Sequence, residues 1–113
     1  MIYKRFNNSE LFKGDTNRTY EYHIEDKDIN YCIVEITGRF PVNGRLVNSI
    51  CKEMVHILEG EGKIVVDGVT YNLKHDDVVL IKPGEKYYWE GYMRVGASCS
   101  PAWYPEQSHN VME

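Results

Sequence analysis

The sequence predicts an all-β fold, and the stretch between residues 53 and 91 carries most of that prediction. Its apolar residues fall into short runs rich in β-prone side chains, at 54–58, 63–66, 69–73 and 78–81. Turn-forming residues separate or end these runs, at 59–62 (Glu-Gly-Glu-Gly), 67–68 (Asp-Gly) and 83–84 (Pro-Gly). Glycine permits the positive φ of a tight hairpin, and proline ends a strand because it lacks a backbone donor. Short strands at this spacing are typical of a small antiparallel barrel or sandwich.

Length, charge and cysteine content limit the class of protein. The chain has 113 residues, which predicts a single domain over 1–113 with one core. Its formal net charge of −4 offers no positive surface for nucleic acid or anionic lipid. No apolar run approaches the length of a membrane span and the N-terminus lacks a signal-peptide core, so we expect a cytoplasmic protein. The three cysteines are odd in number and widely spaced, which argues against a disulfide framework.

The segments on either side of this stretch are assigned by the same signals. Residues 1–29 are expected to form an N-terminal strand or arm, with an edge strand at 2–6 and a turn at 9–12. Further strands and one Asn-Gly turn are predicted at 31–37 (strand), 43–44 (turn), 45–58 (one long strand or a bent pair) and 94–100 (closing strand). Residues 101–113 form a tail that two prolines stiffen.

Two motifs in the central stretch resemble those of the cupin family. Glu53, six intervening residues and Gly60 match the second half of the first cupin motif. Residues 76–84 resemble the second motif, with Asp76 where the family usually has glycine. The resemblance covers about residues 30–100 and implies a small single-domain cupin, whose double-stranded β-helix (jelly-roll) barrel encloses a pocket. Because the family often pairs its N-terminal strand with a second subunit, the resemblance also implies a homodimer.

The resemblance also bears on metal binding. In metal-binding cupins two histidines lie on the inner barrel face just before the glutamate, and a third follows the Pro-x-Gly turn. The matching positions here are Val47, Ser49 and Tyr87, so Glu53 alone remains of the usual four ligands. A transition metal needs about three or four protein ligands, among which imidazoles are typical. We therefore predict no metal at the usual position and no cofactor.

Strand alternation groups the candidate site residues on the inner face. Side chains in a strand alternate with period two, so Ser49 and Glu53 share a face if residues 45–58 form one strand. Tyr87 and Trp89 also share a face, and turning both inward places a phenol and an indole beside the acid. Burial would raise the pKa of Glu53, which could then bind a ligand or transfer a proton. The alternatives are a buried acid held by Tyr87 or Ser49, and core packing for Trp89.

The C-terminal tail supplies two further candidate ligand contacts. Trp103 needs an apolar surface to cover, and the tail resembles segments that fold back over a barrel opening in small cupins. Residues 101–113 are therefore interpreted as a lid that brings Trp103 and His109 to the ligand. Packing against the outer sheet or a second subunit is the alternative. His56 is one register step from Glu53 and is expected on the outside.

Three functions remain open. The first is a cupin barrel that binds a small molecule, either a carbohydrate or a carboxylate-bearing metabolite, without the usual metal. The second is an enzyme, an isomerase, epimerase or lyase, in which Glu53 and Tyr87 act as acid and base. The third is a structural or storage-type cupin with a filled barrel. The sequence has no helix-turn-helix or basic segment, so a small-molecule ligand and a second subunit are the expected partners, without nucleic acid or membrane.

Overall fold

The computed structural model describes residues 1–112 and confirms the all-β fold. Two short 3-10 turns, Phe6–Asn8 and Pro105–Gln107, are the helical elements of these residues. Nine strands follow in chain order: β1 (Glu10–Lys13), β2 (Asn17–Glu21), β3 (Asn30–Phe40), β4 (Arg45–Asn48), β5 (Lys52–Val66), β6 (Val69–Lys74), β7 (Val78–Ile81), β8 (Tyr87–Ser100) and β9 (Ser108–Val111). Within the same residues, no helix is long and apolar enough to cross a membrane.

The two longest strands, β5 and β8, form the centre of the molecule. They run antiparallel, from Lys52 opposite Ser100 to Val66 opposite Tyr87. On the other edge of β8 lies β3, followed by β2 and then β1. On the other edge of β5 lie β7, beside its first half, and β6, beside its second half. β4 joins the end of β8 beyond β3 and also pairs with β9, so all nine strands belong to one curled sheet.

Alternation along β8 determines which side chains enter the core. The odd-numbered side chains of this strand are buried, whereas Tyr92 is exposed. Those from Tyr87 to Ala97 pack in one apolar cluster with Val55 and Ile57 of β5, which are almost completely buried. Full burial of one such aliphatic side chain contributes about 1.5–3 kcal/mol to stability. The predicted inward orientation of Tyr87 and Trp89 is confirmed.

Two of the predicted turns are confirmed. Asp67 and Gly68 have φ values of 48° and 83°, as a two-residue type I′ turn requires, and they connect β5 to β6. Residues 83–84 form the turn that follows β7. Asp76, where the cupin motif usually has glycine, also has a positive φ of 73°. Aspartate is one of the few residues besides glycine that tolerate this conformation, so the turn before β7 forms without glycine.

The predicted hairpin at residues 59–62 is wrong, because β5 continues through it. A β-bulge between Ile57 and Glu59 absorbs one extra residue, after which the pairing with β8 resumes. Glycine is needed here for another reason, since a Cβ added at Gly91 would lie 2.6 Å from the Cα of Gly62. These two glycines let β5 and β8 approach closely. In this segment glycine therefore marks a close approach of two strands and not a reversal of the chain.

The N-terminal prediction is wrong in its details. The edge strand is β1, which occupies most of the segment expected to be a turn at 9–12, and residues 2–5 lie outside regular structure. Phe6 lies beside Tyr20, with ring centroids 4.8 Å apart. The Phe6 ring thus packs on the sheet, and residues 2–6 do not add a strand to its edge. Residues 45–58 form the bent pair, with a break at 49–51 between β4 and β5.

Replacing Gly91 with alanine tests the close approach of β5 and β8. The new Cβ would lie 2.6 Å from Gly62 Cα and 2.7 Å from the Glu61 carbonyl oxygen, at a φ of 142°. Overpacking and backbone strain should lower the free energy of unfolding by about 2–4 kcal/mol, measured by urea denaturation. Gly68→Ala is the matched control, because its φ is also positive but no atom lies within 4 Å of the added Cβ. Equal losses in the two variants would contradict the role given to the close approach.

Candidate functional site

A polar cluster lies at one end of the barrel interior and consists of Asn48, Glu53, Tyr87 and Cys99. Glu53 pairs with Ile81 of β7 on one side and with Cys99 of β8 on the other. Asn48 Nδ2 donates a hydrogen bond to Glu53 Oε1 at 3.2 Å. The Tyr87 phenol and the Cys99 thiol lie beside the same carboxyl group and interact with it. The carboxyl is therefore surrounded by neutral groups that offer protons.

The break between β4 and β5 decides which residues join this cluster. An uninterrupted strand would place Val47 and Ser49 on the Glu53 face, but residues 49–51 leave the strand and change the alternation. As a result Asn48, which is 2% exposed, points inward and takes the place expected for Ser49. Asn48 could not be predicted from the sequence because alternation cannot be extrapolated across a break. The possibility of a bent pair was the one signal that could have found it.

The structure does not bring Ser49 to Glu53. Ser49 is exposed, and both its backbone nitrogen and its hydroxyl donate to the carbonyl oxygen of Gln107, at 3.0 and 3.2 Å. The Gln107 side chain is buried at the same turn, where its Oε1 accepts from the backbone N–H groups of Ile50 and Cys51. Sequence analysis also missed this glutamine. It ties the tail to the turn that separates Asn48 from Glu53.

Burial changes the proton affinity of the cluster. It is the main cause that raises the pKa of Glu53, and three neighbouring hydrogen bonds oppose the rise only in part. This direction agrees with the sequence prediction. Burial also raises the pKa of Tyr87 well above its usual value, and the charge of Glu53 adds to the effect. The pKa of the Cys99 thiol rises for the same two reasons. At neutral pH the phenol and the thiol therefore keep their protons.

The two aromatic residues predicted to face inward both lie in the core. Tyr87 and Trp89 are 4% and 3% exposed, and their rings meet edge-on with centroids 6.3 Å apart. Trp89 belongs to the main apolar cluster, so core packing, the alternative given for it, describes its position. Tyr87 combines the same packing with a polar contact to Glu53. Of the pair, Tyr87 is the member that joins the polar cluster.

The tail reaches the polar cluster through Trp103. The indole Nε1 donates to Asn48 Oδ1 at 3.2 Å, and the side chain remains 38% exposed. Beyond it, β9 pairs with β4 and extends the sheet. Trp103 thus packs at this end of the barrel, while the following residues form a sheet strand and not a separate flap. Glu113, the last residue of the predicted lid, lies outside the described residues.

Two candidate histidines lie away from the acid. His109 is exposed on β9, where it pairs with Val47, while its neighbour Ser108 pairs with Asn48. Because side chains alternate, His109 points to the opposite side of the sheet from Asn48. The structure therefore does not bring His109 to Glu53. His56 lies on the outer side, as predicted, and its Nε2 is 3.1 Å from Asp76 Oδ1.

Two cavities adjoin different parts of the sheet. The smaller, of about 250 Å³, lies beside β5, β6 and β7 and is lined mostly by apolar side chains. One lining residue, Ile81, is the strand partner of Glu53, but none of the four residues of the polar cluster lines this cavity. The larger, an open cleft of about 630 Å³, lies around the bulge of β5 and mixes basic and acidic side chains such as Arg18 and Glu59. It shares no residue with the polar cluster.

The donors around Glu53 do not fit the metal that many cupins hold. They are an amide, a phenol and a thiol whose raised pKa keeps it protonated, and none is an imidazole. Among residues 1–112, no group of three or more His, Cys, Asp or Glu side chains is arranged to hold a metal ion. The chemistry that these residues themselves provide is that of hydrogen bonding and proton transfer.

Solved structures with very different sequences share this fold. Streptomyces PAC13, described as a nucleoside dehydratase with a β-barrel and solved with uridine, matches with a TM-score of 0.91 at 14% identity, over 99% of this chain and 91% of that one. Ectoine synthase from P. lautus matches with a TM-score of 0.76 at 19% identity, over 99% and 91%. Oxalate decarboxylase from Bacillus subtilis matches with a TM-score of 0.81 at 7% identity, over 97% of this chain and 31% of that one. Identities this low establish the fold alone. A comparison with curated protein sequences found no match.

A family model matches the central part of the chain. The EutQ-like cupin domain matches residues 36–95, which are 60 of the 113 residues. This span begins in β3, ends in β8 and includes both Glu53 and Tyr87. Together with the shared fold, the match confirms the jelly-roll barrel that the two sequence motifs implied. The chain therefore belongs to the family of proteins with an EutQ-like cupin domain.

Proposed function

We propose that the protein binds a small, hydroxyl-rich molecule at the polar cluster, with Glu53 as the main polar contact. The observation that carries the proposal is a carboxyl group on the inner face of the barrel that an amide, a thiol and a phenol contact. Burial of an ionisable group costs free energy unless hydrogen bonds or an opposite charge compensate for it. A ligand hydroxyl, which can both donate and accept, supplies such a hydrogen bond.

The cluster favours a carbohydrate-like ligand over a carboxylate-bearing metabolite. A ligand carboxylate would lie beside Glu53, and two like charges in a buried site repel each other strongly. Sites that recognise carboxylates commonly use arginine, and neither arginine nor lysine is among the groups that act on Glu53. The likeness to PAC13 supports the same choice, because uridine, with which that protein was solved, carries ribose hydroxyls.

The available space favours a small ligand. The cavity of about 250 Å³ lies slightly below the range of about 300–1,000 Å³ that is typical of ligand pockets. Its wall includes Ile64 and Ile81, the strand partner of Glu53, so a ligand held there would place an apolar face on aliphatic side chains. A cavity of this size beside the sheet supports a binding role over a purely structural one.

A second candidate function is a lyase or isomerase that acts on the same ligand. The Tyr87 phenol lies beside the Glu53 carboxyl, so one site holds an acid and a base. The raised pKa of Glu53 brings its proton exchange closer to neutral pH. Two proteins of the same fold, a nucleoside dehydratase and ectoine synthase, are enzymes. In an elimination of water, Glu53 would take a proton from a ligand carbon, and Tyr87 would give its proton to the departing hydroxyl.

We also propose that the protein is a homodimer in a reducing compartment such as the cytoplasm. The outer faces of β5 and β7 place Met54, Val78 and Leu80 close together, each about half exposed. A contiguous exposed apolar patch marks an interaction surface, and self-pairing of one such patch produces a two-fold dimer. All three cysteines are free, which supports a reducing environment.

Glu53→Gln should weaken the binding of a hydroxyl-rich ligand. Nucleosides and monosaccharides are first screened by thermal shift, and the affinity of the best ligand is measured by calorimetry. Loss of the charge-assisted hydrogen bond should cost about 1.5–3 kcal/mol of binding free energy. Glu61→Gln, an exposed change on the same strand, is the control and should bind as the wild type does. Unchanged affinity in Glu53→Gln would contradict the site. Proton NMR of the same samples shows whether the bound ligand is converted, which would establish the enzyme.

Glu53 should also make stability depend on pH. Because its pKa is raised above the unfolded value of about 4.3, the folded protein binds this proton more tightly than the unfolded chain does. The stabilisation by the proton is complete below about pH 4.3 and is lost as the pH rises through the raised pKa. The free energy of unfolding of Glu53→Gln, minus that of the wild type, should therefore grow with pH, by about 1.4 kcal/mol per unit of pKa shift. Urea denaturation at a series of pH values measures this difference, and a constant difference would refute the shift.

Lysine at the outer apolar patch should separate the subunits. Met54→Lys and Leu80→Lys each place a charge where apolar side chains would meet, so light scattering at micromolar concentration should report a monomer mass. Val69→Lys changes an exposed apolar residue at the β5–β6 turn and should leave the dimer intact. A wild-type protein that is already a monomer at this concentration would rule out the dimer.

A further inference from the structure

Trp103 and Glu53 are connected by the side-chain amide of Asn48. Trp103 Nε1 donates to Asn48 Oδ1 at 3.2 Å, and Asn48 Nδ2 donates to Glu53 Oε1, also at 3.2 Å. An indole nitrogen donates but does not accept, so the end of the amide that faces it must be the oxygen. The amide nitrogen is thereby turned toward Glu53. A partly exposed tail residue is thus linked to the acid through a buried amide, which also interacts with the Tyr87 phenol.

The surroundings of Asn48 leave its side chain little other freedom. Asn48 lies in β4 opposite Ser108 of β9. The backbone carbonyl oxygen of Asn48 accepts a hydrogen bond from the backbone nitrogen of Gly84 at 2.9 Å. The residue is 2% exposed, so the atoms packed around it restrict the rotamers that it can adopt. A half-turn of the amide plane, which exchanges Oδ1 and Nδ2, needs little additional space because the two ends are similar in size.

We propose that Trp103 is a positioning residue for Glu53: its indole N–H holds the Asn48 amide so that Nδ2 donates to the carboxyl and keeps it an acceptor for the ligand. The inference rests on the ligand site proposed above, but it concerns a state of the acid that exists without ligand. When the indole N–H is removed, the amide is free to turn its oxygen toward Glu53. An ionised carboxyl would then face another oxygen, whereas a protonated one would donate to it, so protonation becomes more favourable.

Among residues 1–112, no cationic side chain acts on Glu53 to compensate for a lost donor. The groups that face it from the packed strands, besides Asn48 of β4, are Cys51 of its own segment, Tyr87 and Cys99 of β8, Cys32 of β3 and Ile81 of β7. None of these carries a positive charge. The ionisation of Glu53 therefore depends on neutral donors, and the Asn48 amide is the donor that contacts the tail.

The tail holds Trp103 from both sides. The Trp103 carbonyl oxygen accepts from Asn30 Nδ2 at 3.4 Å, which attaches it to the start of β3. After it, the buried Gln107 side chain accepts two backbone hydrogen bonds from the turn at 49–51, and β9 then pairs with β4. Docking of the tail and the orientation of the Asn48 amide are thus physically linked.

The test is the proton affinity of Glu53 in Trp103→Phe, which keeps an aromatic ring but loses the N–H. Protein with ¹³C-labelled glutamate is titrated by NMR, and the Glu53 carboxyl signal is identified by its absence in Glu53→Gln. We expect the titration midpoint to rise by about 0.5–1 pH unit, because a hydrogen bond to the charged form is lost. Tyr104→Phe, at a neighbouring aromatic residue of similar exposure, is the control and should leave the midpoint unchanged. An unchanged midpoint in Trp103→Phe overturns the proposal.

Repeating the Trp103→Phe measurement in an Asn48→Leu variant distinguishes an effect through the Asn48 amide from a general loosening of the tail. In Asn48→Leu the amide is absent, so adding Trp103→Phe should cause no further shift of the midpoint. If Trp103→Phe shifts the Glu53 titration midpoint equally in the wild type and in Asn48→Leu, Trp103 acts on Glu53 without the Asn48 amide, and the proposal is overturned. If Asn48→Leu does not fold, the side-chain amide signals of Asn48 must move in Trp103→Phe, and unmoved signals overturn it. These measurements use no ligand, so a failure of the ligand site and a failure of this inference remain distinguishable.

Discussion

The pairing of β5 with β8 is the constraint on which the rest of the structure depends. β3 and β4 attach to β8, β6 and β7 attach to β5, and the remaining strands attach to these. Because side chains alternate, the register that places Val55 and Ile57 in the core also places Glu53 on the inner face. A slip by one residue would turn Val55 and Ile57 outward. The partial burial of the acid therefore follows from the register of the core and cannot be relieved without disrupting it.

Local signals predicted the strands, but not the points at which distant segments meet. The Asp67-Gly68 turn could be predicted because two adjacent positive φ values follow from these residues alone. The glycines at 60 and 62 send the same local signal, yet there the contact with β8, almost thirty residues further on, decides that the strand continues. The same limit applies to the site. Glu53 could be predicted from its motif, whereas Asn48 could not, because a three-residue break changed the alternation. Gln107 gave no signal at all, since its partners are backbone groups of that break.

Packing and chemistry oppose each other at Glu53. An aliphatic side chain at this position would add to the core without a desolvation penalty, whereas a carboxyl must be compensated by hydrogen bonds. The fold provides an amide, a phenol and a thiol and no cation among the groups that act on this acid. A residue that breaks the local rule for a core position is what we expect at a functional site. A neighbouring cation would hold the acid in its ionised form, but neutral donors leave its protonation adjustable.

Because the protonation of Glu53 is adjustable, binding of the proposed ligand and binding of a proton would be linked. A ligand hydroxyl that donates to the carboxylate must lower the pKa of Glu53, and a ligand group that accepts from the protonated acid must raise it. To act as the base in an elimination, Glu53 must be ionised, and to act as the acid it must be protonated. Burial favours the protonated state, and the Asn48 amide, oriented by Trp103, favours the ionised one. For the proposed ligand, the balance of these two effects, more than the area of apolar contact, would determine which of its groups the barrel recognises.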